Sequence, residues 1–365
     1  MLRHLGLFLA AAASMVLTYA NGDEGGFAAR VSWIHGLEFA GALSLILLSH
    51  EFGHYIAARI HKVDASLPFF LPLPILSPFG TMGAVIRMRG SIPSRRALLD
   101  IGASGPLAGL VFALPLYAWG IRHSPVVPMD PSLGATFGES LLTRALDAAF
   151  GPHLPEGTVQ VATPVLFAAW AGLFVTMLNL LPIGQLDGGH VAYALFGKKQ
   201  NRASVMIHRS LLAFFGVSLV SYAVRDARAG AGFHHLGRNV GDSIFWLVWF
   251  IVLGAIGSFS QASPAREDEP GEEVVSPWTR IAAAVMLSML AAEGRERTEP
   301  GLWAAWFVGL TVLLVMEIRG GTLREHSLFD HPDVGKDDLG VVRTVVGFVA
   351  LAFFPALFMP APFSL

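Results

Sequence analysis

Nine apolar runs divide this chain, near residues 5–20, 33–60, 97–120, 158–181, 205–224, 243–260, 278–292, 301–318 and 341–360. A helix needs roughly 20 apolar residues to cross the hydrocarbon core of a bilayer, so runs of this length fix the solvent before any fold is considered. Composition agrees: 53% of the residues are hydrophobic and only 14% charged, with mean hydropathy +0.56, where a soluble domain carries about 25% charged residues. The sequence therefore predicts an all-α polytopic membrane protein, a bundle of about 7–9 transmembrane helices. The run at 278–292 is short and leads into the polar "EGRERTEP", so it also reads as a re-entrant hairpin. The first run, behind Arg3, reads as an uncleaved span, because "TYANG" is a poor small-residue cleavage site.

Threading the runs alternately with the N-terminus inside puts 17 of the 25 Lys and Arg on the cytoplasmic side and 8 opposite. By the positive-inside rule, the end of the second run and the loop after it, with Arg87, Arg89, Arg95 and Arg96, face the cytoplasm. A net charge of −2 without a long basic run gives no reason to expect nucleic acid as a partner. There is no cysteine, so any metal must be held by His and carboxylate.

Three segments follow from this pattern. Residues 1–32 give an N-terminal transmembrane helix and a short extracytoplasmic loop, 33–224 a membrane core, and 225–365 further transmembrane helices with an acidic linker at 261–277. The Pro- and Gly-rich loop 121–157 is too short for an inserted peptide-binding domain of the usual ~80–100 residues.

Within the second run stands "HEFGH", His50 to His54. On a helix, positions i and i+4 share a face with Cβ atoms roughly 6 Å apart, so His50 and His54 can aim at one ion while Glu51 flanks it. Zinc suits such a site because it polarises a carbonyl and makes a bound water acidic, and the adjacent carboxylate can take the proton. A lone His or Glu in a span is often only a hydrogen-bond partner between helices or part of an ion pathway, but three at this spacing point to a metal. A catalytic zinc needs a third protein ligand. Asp187, in "NLLPIGQLDGGHVAYALFG" (179–197), is the candidate, displayed where Pro182 and Gly184, Gly188 and Gly189 interrupt the helix. Non-helical backbone at membrane depth is tolerated where it lines a cavity.

HExxH in one apolar helix, together with a distant N-x-x-P and L-D-G, resembles the site-2 protease family, the intramembrane zinc metalloproteases, in its form without PDZ or CBS domains. The matching stretches are His50 to His54 and Asn179 to Gly188, and the likeness covers about residues 33–224. It implies one Zn2+ per chain, held by His50, His54 and Asp187, with Glu51 as general base and Asn179 as a polar group near the substrate or transition state. Many members carry a second proline two residues after the first, where this chain has Gly184, so the local loop differs. The resemblance also implies a small membrane-associated β-hairpin between the first two core helices. Here "SLPFFLPLPILSPFGTMGAVIRMRG" (66–90) is rich in proline and ends in a strand-like stretch. A transmembrane substrate must be unwound before its peptide bond can be cut, and residues Gly80, Thr81, Met82, Gly83, Ala84 and Val85 are the expected clamp, adding the unwound segment as a strand.

"RALLDIGASGPLAGL" (96–110) sets small residues at close spacing and predicts a tightly packed core helix. Asp100 reads as interfacial, and His190 as either a helix-start histidine or a supporting group near Asp187. His234 and His235 read as a surface loop, and His331 carries no assigned chemistry. Trp246, Trp249, Trp303 and Trp306 read as lipid-facing or interface anchors. The chain is thus expected to hydrolyse a peptide bond in or beside a transmembrane segment of a single-span or polytopic membrane protein. A bacterial inner membrane fits best, an organellar membrane also fits, and the active site is expected toward the cytoplasm. Two other classes stay open: a transporter or metal-handling protein, and a non-proteolytic scaffold that binds transmembrane helices.

Overall fold

The computed structural model describes residues 2–21, 33–74, 77–89, 92–129, 136–228, 230, 243–254, 331, 334–335, 337–359 and 363–364. The chain forms two compact units: Met1–Ala135 with Leu142–Asn179 and Gly335–Val346, and Thr136–Leu141 with Leu180–Val334 and Gly347–Leu365. The helices are α1 (Leu2–Asn21), α2 (Trp33–Ile60), α3 (Arg95–His123), α4 (Leu141–Phe150), α5 (Pro164–Asn179), α6 (Asp187–Phe196), α7 (Lys199–Arg228), α8 (Ser243–Gly254) and α9 (Gly340–Leu357). The strands are β1 (Asp64–Ala65), β2 (Phe69–Pro72), β3 (Thr81–Val85), β4 (Met88–Arg89), β5 (Val126–Pro128), β6 (Thr136–Phe137), β7 (Thr158–Gln160) and β8 (Phe363–Ser364). They pair antiparallel as β1–β4, β2–β3, β5–β7 and β6–β8.

The described residues are mostly helical, and α1, α3, α7 and α9 are long and apolar enough to cross a membrane. α2 has the length, at 28 residues, but its His and Glu side chains dilute its apolar character; α5 and α8 are apolar and shorter. The expected spans at 278–292 and 301–318, the loop at 22–32, the linker at 261–277, His234, His235, Trp303 and Trp306 lie outside the described residues.

In the first unit α2, α3 and α5 pack on one another. Helices in lipid gain little from hydrophobic exclusion and associate through close van der Waals fit. The small residues of α3 provide that fit. Gly105 lies so close to α2 that a Cβ there would overlap the imidazole of His54, and Gly53 of α2 meets the Ser104 carbonyl in the same way. The tight packing expected at 102–109 is therefore built around a histidine ring.

α1 rests on α2 and on β2. Ser14 Oγ donates to the Gly80 carbonyl at 2.6 Å, and Phe8 meets Phe70 edge-on at 5.1 Å. Gly80 has φ +72 and sits against the backbone of Ser14 and Met15, so the turn into β3 requires glycine. Phe79 beside it contacts Phe167, Trp170 and Phe174 at 5.9, 6.3 and 6.0 Å, which fastens the approach to β3 onto α5. The strand-like stretch "TMGAVIRM" (81–88) is divided. β3 pairs with β2 across an irregularity between Phe70 and Pro72, where proline offers no N–H to the ladder, and Met88–Arg89 pairs with Asp64–Ala65 instead. The loop 121–157 also carries more structure than expected: Leu142, Ala145, Leu146 and Ala149 recur at helical spacing and form one face of α4.

Asp100 joins three elements. It accepts from His61 Nε2 at 2.7 Å, just past the end of α2, and from Arg343 Nε of α9 at 3.0 Å. Nearby, Asp337 receives the backbone amides of Arg95 and Arg96 at 2.9 and 3.3 Å, capping α3 alongside Ser94. Burial pushes the Asp337 carboxyl up, but the two amides and the Arg96 guanidinium outweigh it and hold it below the ordinary carboxylate range. A depressed value stabilises the fold above the unfolded carboxyl's pKa near 3.9, and the contribution disappears as pH falls through the folded value. Asp337→Ala is expected to cost on the order of 1 kcal/mol at neutral pH. In thermal melts in detergent, the gap from wild type should close below about pH 4.

In the second unit α6 packs on α7. Trp246 corrects an expectation: it is 1% exposed, stacked on Phe358 at 5.1 Å and edge-on to Phe214 at 5.4 Å, and so anchors a core rather than a lipid interface. Its own helix gives no hint of this burial, because Phe214 and Phe358 lie on distant segments of the chain.

Candidate metal centre

One turn of α2 separates His50 from His54, and their Nε2 atoms lie 3.1 Å apart. Two nitrogens bound tetrahedrally to one zinc at about 2.0–2.1 Å sit about 3.3 Å from each other. His54 Nδ1 donates to the Ile101 carbonyl at 2.7 Å, which fixes the tautomer and leaves the lone pair on Nε2. Asn179, the last residue of α5, brings its amide nitrogen 3.2 Å from His50 Nε2 and donates to the lone pair there. Two imidazole nitrogens at this separation can serve one cation. The arrangement fits a metal. His50 is 4% and Glu51 8% exposed, so the acidic neighbour of the pair is also withdrawn from solvent.

Asp187 opens α6. Leu186, at the N-cap, has no side-chain cap, so the Asp187 carboxylate is the acidic group of the first turn, at the positive end of the helix dipole. The preceding loop is wound tightly, with Ile183 N donating to the Leu181 carbonyl at 2.8 Å and Leu186 N to Ile183 at 3.1 Å. Gly188 lies directly on the Leu180 and Leu181 carbonyls, where any Cβ would collide, which explains a glycine immediately after the aspartate. Among the described residues, His50, His54 and Asp187 form a group that could hold a metal ion, each offering one ligand atom. His190, three residues on, pairs instead with His331: Nδ1 lies 2.8 Å from His331 Nε2, and Tyr193 stacks on the His331 ring at 4.4 Å. Sequence reasoning gives His331 no role and passes over Gln200 and Ser204, since no motif marks contacts made across such separations.

A buried glutamate beside two histidines one helical turn apart is the arrangement of a zinc metalloprotease-type centre. The chain belongs to peptidase family M50, the site-2 protease family, whose family model matches residues 38–223. It is 34% identical over 170 residues to the probable zinc metalloprotease EGY2, chloroplastic, of Arabidopsis thaliana, covering 45% of this chain and 29% of the relative. With the probable zinc metalloprotease EGY1, chloroplastic, of the same plant it shares 37% identity over 161 residues, 42% of this chain and 28% of the relative. The longest of these alignments is to the probable zinc metalloprotease EGY3, chloroplastic, of Oryza sativa subsp. indica, at 27% over 282 residues, 70% of this chain and 42% of the relative. The chain thus spans less than a third of the length of the first two relatives. No solved structure matches it.

Proposed function

We propose that this protein is an intramembrane zinc endopeptidase that cuts a transmembrane segment of another membrane protein, single-span or polytopic. The observation that carries the proposal is the pair of imidazole nitrogens 3.1 Å apart beside a buried glutamate, in a helix with the family match. His50, His54 and Asp187 would hold the ion, one Zn2+ per chain. Zinc, when bound, supplies a Lewis acid that polarises the scissile carbonyl and acidifies water. Glu51 accepts a proton from the attacking water and returns one to the leaving amine, so no covalent acyl-enzyme is required. The Ile101 carbonyl keeps the His54 ring oriented throughout. Asn179, within reach of His50, is proposed as the polar group that donates to the substrate carbonyl as it becomes tetrahedral.

Residues Gly80 to Val85 are the proposed clamp for the unwound substrate. β3 has β2 as its one strand partner among the described residues, leaving an edge for another strand. Met82 is 61% and Val85 42% exposed, which gives that edge apolar side chains for a substrate drawn from lipid. The division at 32 and 224 is part of the same proposal, with the core between and additional helices after it. An organellar membrane fits the chloroplastic names of the relatives; a bacterial inner membrane fits the charge bias equally, with the site on the cytoplasmic half.

The test is cleavage of a panel of single-span model substrates by the purified protein in detergent. Cutting should stop on treatment with a zinc chelator and return on adding zinc. A panel left uncut with zinc present, or cut equally with the chelator, would count against a zinc peptidase.

A further inference from the structure

The turn from Pro182 to Leu186 is non-helical, and Pro182 and Gly184 are both buried. Backbone groups so placed must find protein partners. Two side chains of α7 supply them. Gln200 Nε2 donates to the Pro182 carbonyl at 2.6 Å, Ser204 Oγ donates to Gln200 Oε1 at 2.7 Å, and Gly184 N donates to Ser204 Oγ at 3.1 Å. Gln200 is 3% and Ser204 0% exposed. Each bond leads into the next, so the four groups close a ring that runs from Pro182, through α7, back to Gly184. Gln200 and Ser204 are themselves one helical turn apart, which is why two side chains of one helix can grip both Pro182 and Gly184.

We propose that Gln200 and Ser204 are positioning residues for the metal centre: they lock the Pro182–Gly184 turn and thereby fix where α6 starts and where Asp187 presents its carboxylate. This rests on Asp187 being a zinc ligand. A loop pinned at only one end could shift by an ångström at Asp187, and a ligand oxygen tolerates little such freedom at bond distances near 2 Å. Partners that orient ligands typically account for about 10- to 100-fold in metal affinity. Gly184 has no side chain of its own, so α7 provides what the turn lacks.

The experiment measures zinc affinity of the full chain in detergent by competition with a chromogenic chelator, beside thermal melts. Ser204→Ala should weaken zinc binding about 10- to 100-fold. Gln200→Met, which keeps volume and removes both hydrogen bonds, should do the same and serves in its place if Ser204→Ala does not fold. In an Asp187→Ala background, where the loop no longer delivers a ligand, neither change should weaken zinc further. Asp187→Ala lowering affinity while both α7 variants stay within about twofold of wild type would overturn the inference and leave the ligand assignment standing. Equal weakening in the presence and absence of Asp187 would also overturn it, since α7 would then be acting on the fold at large. An Asp187→Ala protein that binds zinc like wild type would remove the ligand assignment first, and the inference with it.

Discussion

Replacing Glu51 with Gln should lower the rate of substrate cleavage by about 10²- to 10⁴-fold, the range for a positioned general base, while zinc content stays at the wild-type level. Gln has the same size and keeps an acceptor oxygen, so the buried site at 8% exposure need not repack. What it lacks is a basic oxygen that can take a proton. Because Glu51 lies outside the proposed donor set of His50, His54 and Asp187, zinc content should not change. Initial rates on a model substrate, measured beside atomic absorption on the same sample, give both halves of the result. The other classes of protein answer differently. A transporter or metal-handling protein would work almost unchanged after Glu51→Gln, and a helix-binding scaffold would hold its partner equally well in either form without cutting it. Cleavage near the wild-type rate by a zinc-loaded Glu51→Gln protein would remove Glu51 from the mechanism.

Gly105→Ala should leave the fold intact and empty the metal centre. A Cβ at this position would overlap three atoms of the His54 ring. Relief comes cheaply to the fold, since a ring can rotate, and expensively to the chemistry, since rotation carries Nε2 away from its partner and breaks the bond from Nδ1 to Ile101. Zinc affinity should fall at least 10- to 100-fold, as for other losses of ligand orientation, and cleavage with it. Gly109→Ala is the control: its Cβ would stand 3.4 Å from His50 Cβ, an ordinary contact, so zinc binding should stay near wild type. A Gly105→Ala protein that binds zinc as tightly as wild type would mean that α2 and α3 can separate at this point, and that the packing around His54 is not what orients it.

The half of the site on α2 is legible because its information is local. His50, Glu51 and His54 occupy five consecutive residues, and helical periodicity alone converts that spacing into a shared face. Asp187 is legible for a different reason, as a carboxylate among glycines and a proline where a helix could not continue. The small residues at 102–109 announce close packing but give no sign that a histidine ring is what they receive. The stretch "TMGAVIRM" reads as one strand by residue type, whereas the ladders depend on two separate partners, Phe69–Pro72 for its start and Asp64–Ala65 for its end. Trp246, His331, Gln200 and Ser204 are out of reach. Each acquires its role from partners between 4 and 141 positions away, and a single sequence records no such pairings.

Likeness to peptidase family M50 stops at residue 223 and starts at 38, yet Ser14 lies before that boundary, and Asp337 and Arg343 lie more than a hundred positions beyond it. All three belong to the same compact unit as His50 and His54. A chain cut to residues 38–223 would therefore expose the first turn of α3, strip Asp100 of its arginine and leave the approach to β3 without its hydroxyl donor. The compact unit that holds His50 and His54 thus extends past the matched stretch on both sides.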